Sequence, residues 1–258
     1  MGTTAPPVLT SETGAYKARS PIDSLREHFS RTWRNVLPDT GAPIAVVPDG
    51  HIDLEWIDGQ LRVAGPDEEV HCESLRPGAT VIGFRFSPGA ASLWLGVPAL
   101  ELVGARVPLD VFWGPDARRI GEWAGGAPDP EGIVRRLEAA LARRAEGVRT
   151  PDPSAAYLRR RLENTPALQT DGVRQLSAEL GVSERTLRRR CHEAFGYGPK
   201  TLQRIVRFQR FLELARERDG LVADLANEVG YADQAHLTRE ARRMAGMTPV
   251  SIRQQLAR

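Results

Sequence analysis

The most constraining feature of the chain is a pattern that occurs twice in its last third. VRQLSAELGVSERTLRRRCHEAFG (173–196) runs as a short apolar-periodic segment, a glycine and a longer periodic segment. LVADLANEVGYADQAHLTREARRMAG (221–246) repeats that order about 50 residues later. In the first copy a helix over 172–180 is expected to stop at Gly181, a residue suited to the left-handed conformation that ends helices. Ser183 is placed to cap the next helix, with Glu184 favouring its first turn. Along 183–195, Leu187, Cys191, Ala194 and Phe195 share one face, and Arg185, Arg188, Arg189 and His192 share another. In the second copy a helix over 221–228 stops before Gly230, and Asp233 caps a helix over 233–245. There Leu237 and Ala241 point inward, and Gln234, Ala235, His236, Thr238 and Arg239 point outward. Between the copies PKTLQRIVRFQRFLELARERDG forms one long helix, apolar at 202, 205, 206, 208, 211, 212 and 214, able to tie the two units together. Helix, glycine-centred turn and basic amphipathic helix make the local signature of a helix-turn-helix.

Charge separates this region from the rest. The 258 residues carry a net charge of only +2. Residues 154–258 hold 19 Lys and Arg against 12 Asp and Glu, whereas the remainder holds 16 against 21. A basic back half and a mildly acidic front half imply two domains with different partners. No apolar run approaches the ~18–20 residues of a membrane span. The N-terminus lacks a basic start followed by an apolar stretch, so residues 1–20 read as a disordered arm and the expected location is the cytoplasm, with no membrane partner. Cys72 and Cys191 are far apart in sequence and are expected to stay reduced.

The remaining texture divides the chain further. IDSLREHFSRTWRN (22–35) has apolar residues at 22, 25, 29 and 33, which is helical spacing. From about 44 to 112 short runs (IAVV, HIDLEWI, LRVAG, VHCESL, TVIGFRF) alternate with turn residues, the mark of a small antiparallel barrel or sandwich. Asp58-Gly59 is a hairpin signal. Helical periodicity returns at 116–124 and 130–146, and GVRTPDP (147–153) reads as a linker. The expected organisation is therefore α+β: an N-terminal sensor or dimerisation domain over 21–146, built as a small antiparallel β-barrel with flanking helices, and an all-α domain over 154–258.

Through LSAELGVSERTLRRRC…FGYGPKTLQRIVRFQR and LANEVGYADQAHLTREARRMAGMTP, the last ~105 residues resemble the DNA-binding domain of the AraC/XylS family of bacterial transcription regulators. That family joins two helix-turn-helix units by a linker helix. The Gly-Tyr-x-Asp-Gln-x-His-Leu stretch and the trailing Gly-x-Thr-Pro are the specific parts. The resemblance implies that the helices at 183–195 and 233–245 read successive major grooves about 34 Å apart. Arg185, Arg188, Arg189 and His192, then Gln234, His236, Thr238 and Arg239, are the implied DNA contacts. Ser183, Thr186, Thr201, Arg204 and Asp233 are expected as phosphate contacts or caps, which set register without reading sequence. Arg190 is expected to turn toward the domain interior. Many members have Phe where this chain has Cys191 and Ala241, so local repacking is implied.

In this family the front half commonly senses an effector or dimerises, often as a cupin-like barrel. PDGHIDLEW, VAGPD, IGFRFSPGAASLWLGVPALEL and RVPLDVFW resemble an N-terminal domain of undefined role. His51, Asp53, Glu55, His71 and Cys72 raise a metal reading, outweighed by structural hydrogen bonding. Trp56, Phe84, Arg85, Phe86 and Trp94 are pocket candidates, with core the stronger reading for the aromatics. No nucleophile elbow, phosphate loop, His-Glu-x-x-His or paired-Cys pattern occurs, so neither catalysis nor a cofactor is expected. Double-stranded promoter DNA is the expected partner, with RNA polymerase, a small-molecule effector and a second copy of the chain as further ones. Two alternatives stand: a cupin-type metalloprotein or enzyme carrying a DNA-targeting domain, and a front half devoted to protein contact with 130–146 as the dimer seam.

Overall fold

The computed structural model describes residues 8–9, 16–37, 43–164, 172–218 and 220–256. Among the described residues the front half holds nine strands in two sheets. β1 (Val8–Leu9), β4 (Ile44–Val46) and β7 (His71–Glu73) form a small sheet in the order β1-β4-β7. β2 (Lys17–Arg19), β3 (Phe29–Val36), β5 (Asp53–Ile57), β6 (Gln60–Ala64), β8 (Thr80–Phe86) and β9 (Arg106–Pro108) form an antiparallel sheet in the order β2-β3-β8-β5-β6-β9. Asp58 (φ 48°) and Gly59 (φ 89°) both take positive φ between β5 and β6, as a two-residue hairpin of primed type requires.

Alternation gives the large sheet two unlike faces. Leu54, Trp56, Leu61, Val63, Ile82, Phe84 and Phe86 face one way and build a core with Phe29, Trp94 and Trp113. That face is covered by α1 (Ala90–Leu95), α2 (Asp110–Trp113), α3 (Pro115–Gly125) and α4 (Pro130–Ala145). Trp56, Phe84, Phe86 and Trp94 are thus core residues. The other face carries Trp33, Asp53, Glu55, Arg62, Ala64, Val81, Arg85 and Arg106, by the strand register.

Two expectations are corrected here. Residues 22–35 are not a helix: a single 3-10 turn (Asp23–Leu25) precedes β3. A bulge between Phe29 and Arg31 adds one residue against β8, so the sheet faces switch there and the apolar spacing mimics a helix. Phe29 faces the core and Trp33 the opposite side. The strand texture is interrupted at 90–104, where α1 and a 3-10 turn (Ala99–Leu102) form. Within the arm expected at 1–20, β1 pairs with β4 and β2 with β3, and Arg19 bonds the buried Glu138 of α4 at 2.9 Å; residues 1–7 and 10–15 lie outside the described residues. On α4, Ile133, Val134, Leu137, Ala140 and Leu141 are buried inside the chain.

The back half consists of α5 (Pro153–Glu163), α6 (Gly172–Glu179), α7 (Glu184–Phe195), α8 (Pro199–Glu217), α9 (Val222–Glu228), α10 (Gln234–Ala245) and α11 (Pro249–Leu256). Leu202, Ile205, Val206, Phe208, Phe211 and Leu214 make α8 the axis of this core, which also takes in Leu9 and Ala45 from the small sheet. No helix among the described residues is long and apolar enough to cross a membrane.

Candidate nucleic-acid interface and sensor cavity

Both helix-turn-helix units follow from local rules. After α6, Gly181 takes φ +62° and the Val182 N–H bonds back to the Ser177 carbonyl at 2.9 Å, closing the helix end. Ser183 Oγ accepts from the Thr186 N–H at 3.2 Å and starts α7. After α9, Gly230 takes φ +86°, the Tyr231 N–H bonds the Ala226 carbonyl, and Asp233 accepts from the His236 N–H at 2.6 Å. Leu187, Cys191 and Phe195 hold α7 in the core, and Leu237, Ala241, Met244 and Ala245 hold α10. Burial pushes the Cys191 thiol up to about 12, leaving it an inert core group.

The outward faces are basic and exposed. Arg185, Arg188 and Arg189 are exposed on α7, as are Gln234, Ala235 and Arg239 on α10. Arg188 pairs with Glu184 at 3.3 Å and Arg189 with Glu193 at 2.7 Å. His192 is half-buried at the edge of this face, near Gly198 and in a groove with Arg188, Lys200 and Thr201. Sequence reading missed Lys200, whose only signal is its place in the first turn of α8. His236 packs edge-on against Tyr231, and Thr238 donates to the Gln234 carbonyl. Arg190 is near Asp152.

Arg204, expected as a phosphate contact or cap, is engaged inside the domain. Its guanidinium makes two 3.1 Å hydrogen bonds to Glu240, clamping α8 to α10, and Glu240 is the less exposed partner. The sequence hid this because the two residues lie on different helices.

The charged face of the large sheet borders a cavity of 330 Å³ between the two sheets. Tyr16, Trp33, Ile44, Val46, Leu75 and Val81 supply its apolar walls. Gln209, Leu212, Glu213 and Arg216 of α8 reach the same space. Arg85 lies between Asp53 (3.2 and 3.1 Å) and Asp49 (2.6 Å), and Arg62 between Glu55 (2.7 Å) and Glu73 (2.5 Å). Arg106 pairs with Asp67 at 2.7 Å. Burial would raise Asp49, but the Arg85 and Arg159 guanidiniums and the His51 backbone N–H overcome it and hold that carboxyl at about 2. Glu55 is raised to about 7 by burial, with Arg62 opposing and Glu73 and Asp53 reinforcing. His51 is depressed by burial and by Arg85, so it stays neutral. His51, Asp53, Glu55, His71 and Cys72 form no group suited to a metal; no such group of three or more occurs among the described residues.

The two halves interlock around α7 and α8. Arg159 donates to the Asp49 and Gly50 carbonyls at 2.9 and 3.0 Å, Gln209 to the Pro48 carbonyl at 2.7 Å, and Ser92 to the Glu193 carbonyl at 2.8 Å. Gly196, at φ +85°, ends α7 so close to the front half that a Cβ would meet Val103 at 2.8 Å and Pro66 at 2.9 Å.

Comparison with known proteins agrees with the local geometry. Residues 176–255 match the family described as "Helix-turn-helix domain", and residues 17–108 match a domain of unknown function, DUF6597. No curated protein matches the chain. Among solved structures it is similar to ToxT from Vibrio cholerae O395, with 8% identity, a TM-score of 0.49, and coverage of 94% of this chain and 98% of that one. It is also similar to unsaturated-fatty-acid-bound wild-type ToxT from Vibrio cholerae strain SCE256, with 10% identity, a TM-score of 0.46, and coverage of 95% and 97%. With two capped helix-turn-helix units joined by one helix, residues 176–255 form a helix-turn-helix DNA-binding domain of the AraC type at the C-terminal end of the chain.

Proposed function

We propose that this regulator reads an asymmetric DNA site with α7 and α10 in successive major grooves and adjusts that reading to a small molecule held between its two sheets. Arg185, Arg188, Arg189, Gln234 and Arg239 are the base-edge readers, helped by His192, His236 and Thr238 at the edges. Ser183 and Asp233 cap the helices near the phosphates, and Thr186, Thr201 and Lys200 extend the phosphate-facing surface. Major-groove edges distinguish all four base pairs, and arginine suits guanine.

The observation that carries the sensor reading is that the 330 Å³ cavity is bordered by α8, the helix joining both DNA-binding units. Its volume falls in the range of small-molecule sites. A ligand touching Gln209 or Leu212 touches the axis on which both recognition helices are packed. We read the sensor domain over residues 21–146 as an open cupin-like barrel, extended by β1 and β2 from the segment before it and joined through 147–153 to the DNA-binding domain over 154–258. Two hydrophobic cores, the helical one also taking in Leu9 and Ala45 of the small sheet, support that division. The expected setting is the cytoplasm, with promoter DNA, RNA polymerase and a second copy of the chain as partners.

Selection of genomic fragments by the purified protein, followed by footprinting, tests this reading. An asymmetric protected stretch of about two helical turns per protomer is expected. Arg189→Ala and Arg239→Ala should each weaken binding to that site. Unchanged binding in both would refute the assigned surface.

A further inference from the structure

We propose that the cavity between the sheets takes an organic cation with a compact apolar body, an inference that rests on the sensor reading above. A sheet face covered by a second sheet is ordinarily apolar, and charges buried there weaken the fold unless each is matched. Here they are not matched. Arg85 serves two carboxylates, Asp49 and Asp53, and Arg62 serves two more, Glu55 and Glu73. Arg106 and Asp67 balance one another. Arg159, beside Asp49, is matched by Glu163 at 2.6 Å. The buried set therefore holds one carboxylate more than its guanidiniums serve at each triad; at the Arg62 triad Glu55, raised to about 7, takes up a proton part of the time, and a bound cation would displace it.

A second feature points to a ligand of this sign. Trp33 stands on the cavity face with its indole across Gly83, where a Cβ would lie 2.1 Å from the ring, so this glycine makes room for the aromatic. Tyr16 stacks on it at 6.1 Å between centroids. Aromatic rings beside uncompensated carboxylates are the chemistry that recognises ammonium and related cations. Trp33 is 9% exposed, and its Nε1–H has no acceptor among the described residues. A cation that also carries a hydrogen-bond acceptor would satisfy both. An anionic ligand would meet the carboxylates of both triads with no free guanidinium among the pairs just described.

The test uses the full-length protein and three probes of one shape: benzyltrimethylammonium, and the uncharged alcohol and the carboxylate on the matching phenyl-neopentyl skeleton. Calorimetry gives affinity, and hydrogen exchange locates the bound probe. The cation should bind at least about tenfold more tightly than the alcohol, with protection in β4, β5, β7 and residues 209–216 of α8. Joint replacement Glu55→Gln and Glu73→Gln should erase that advantage; full retention would overturn the proposal. Equal or tighter binding of the alcohol or carboxylate, with protection at the same elements, would overturn the charge assignment and leave the sensor reading standing. Absence of protection there with all three probes would overturn both.

Discussion

Removing Glu193 should tighten DNA binding, although the change breaks an ion pair. The Arg189 guanidinium, 63% exposed, is held 2.7 Å from Glu193 one turn along α7. To reach a base edge it must leave that partner. An exposed pair at this spacing is worth about 0.3–0.5 kcal/mol, whereas an arginine–guanine contact is worth about 1–3 kcal/mol. DNA wins the competition, but Glu193 reduces the gain. Glu193→Gln should therefore strengthen specific binding roughly twofold from release of Arg189 alone, and further because a negative charge leaves the phosphate surface. The Glu193 contact with Ser92 runs through the backbone carbonyl and survives the change. The assay is fluorescence anisotropy on the footprinted site at fixed salt, run as a cycle with Arg189→Ala and the double variant. The gain from Glu193→Gln should shrink when Arg189 is already absent. An affinity that falls or stays level in Glu193→Gln, together with no loss in Arg189→Ala, would refute the reading of this helix face.

Arg204→Met should lower the unfolding midpoint by stranding Glu240, at a cost of about 1–3 kcal/mol. The salt slope of DNA binding should stay unchanged; a slope reduced by about one would restore Arg204 as a phosphate contact. Glu55, raised to about 7 when folded, holds its proton more tightly in the native state than in the unfolded chain. Its contribution is thus fully present below about pH 4.5 and lost as pH rises through 7. Glu55→Gln should flatten the fall in stability over that window in urea titrations, and an unchanged profile would contradict the burial argument. Gly196→Ala should cost about 1–2 kcal/mol from the left-handed backbone alone, plus the clash with Val103 and Pro66. Chemical unfolding that shows no destabilisation would mean the two halves do not meet there.

The helices were legible because each rests on local signals. Gly181, Ser183, Gly230 and Asp233 mark ends that the backbone obeys, and Leu187, Cys191, Leu237 and Ala241 fall on faces that a 3.6-residue period defines. The strand pairing around Asp58-Gly59 was legible for the same reason. Residues 22–35 were misread because one extra residue at the bulge shifts the period, and the sequence does not announce it. Of the pocket candidates only Arg85 borders the cavity, whose other walls were out of reach. Alternation places Asp53 and Glu55 on one face, but Arg85 and Arg62 reach them only after strands 80–86 and 60–64 pair with β5. Trp33 and Leu212 belong to opposite halves of the chain, and only tertiary folding brings them to one space.

The helix α8 bears on how such regulators can be recombined. Its inner residues belong to the helical core, its outer ones border the sensor cavity, and Leu9 and Ala45 of the small sheet are packed into the same core. A hybrid joined at the 147–153 segment would inherit an α8 matched to the wrong sensor and would leave a hole where Leu9 and Ala45 had been. Transplanting a new specificity onto this scaffold requires the cavity-facing positions 209, 212, 213 and 216 to travel with the front half. The unit of exchange is the sensor together with one stripe of the linker helix, and a graft that respects the sequence boundary alone would separate the signal from its reader.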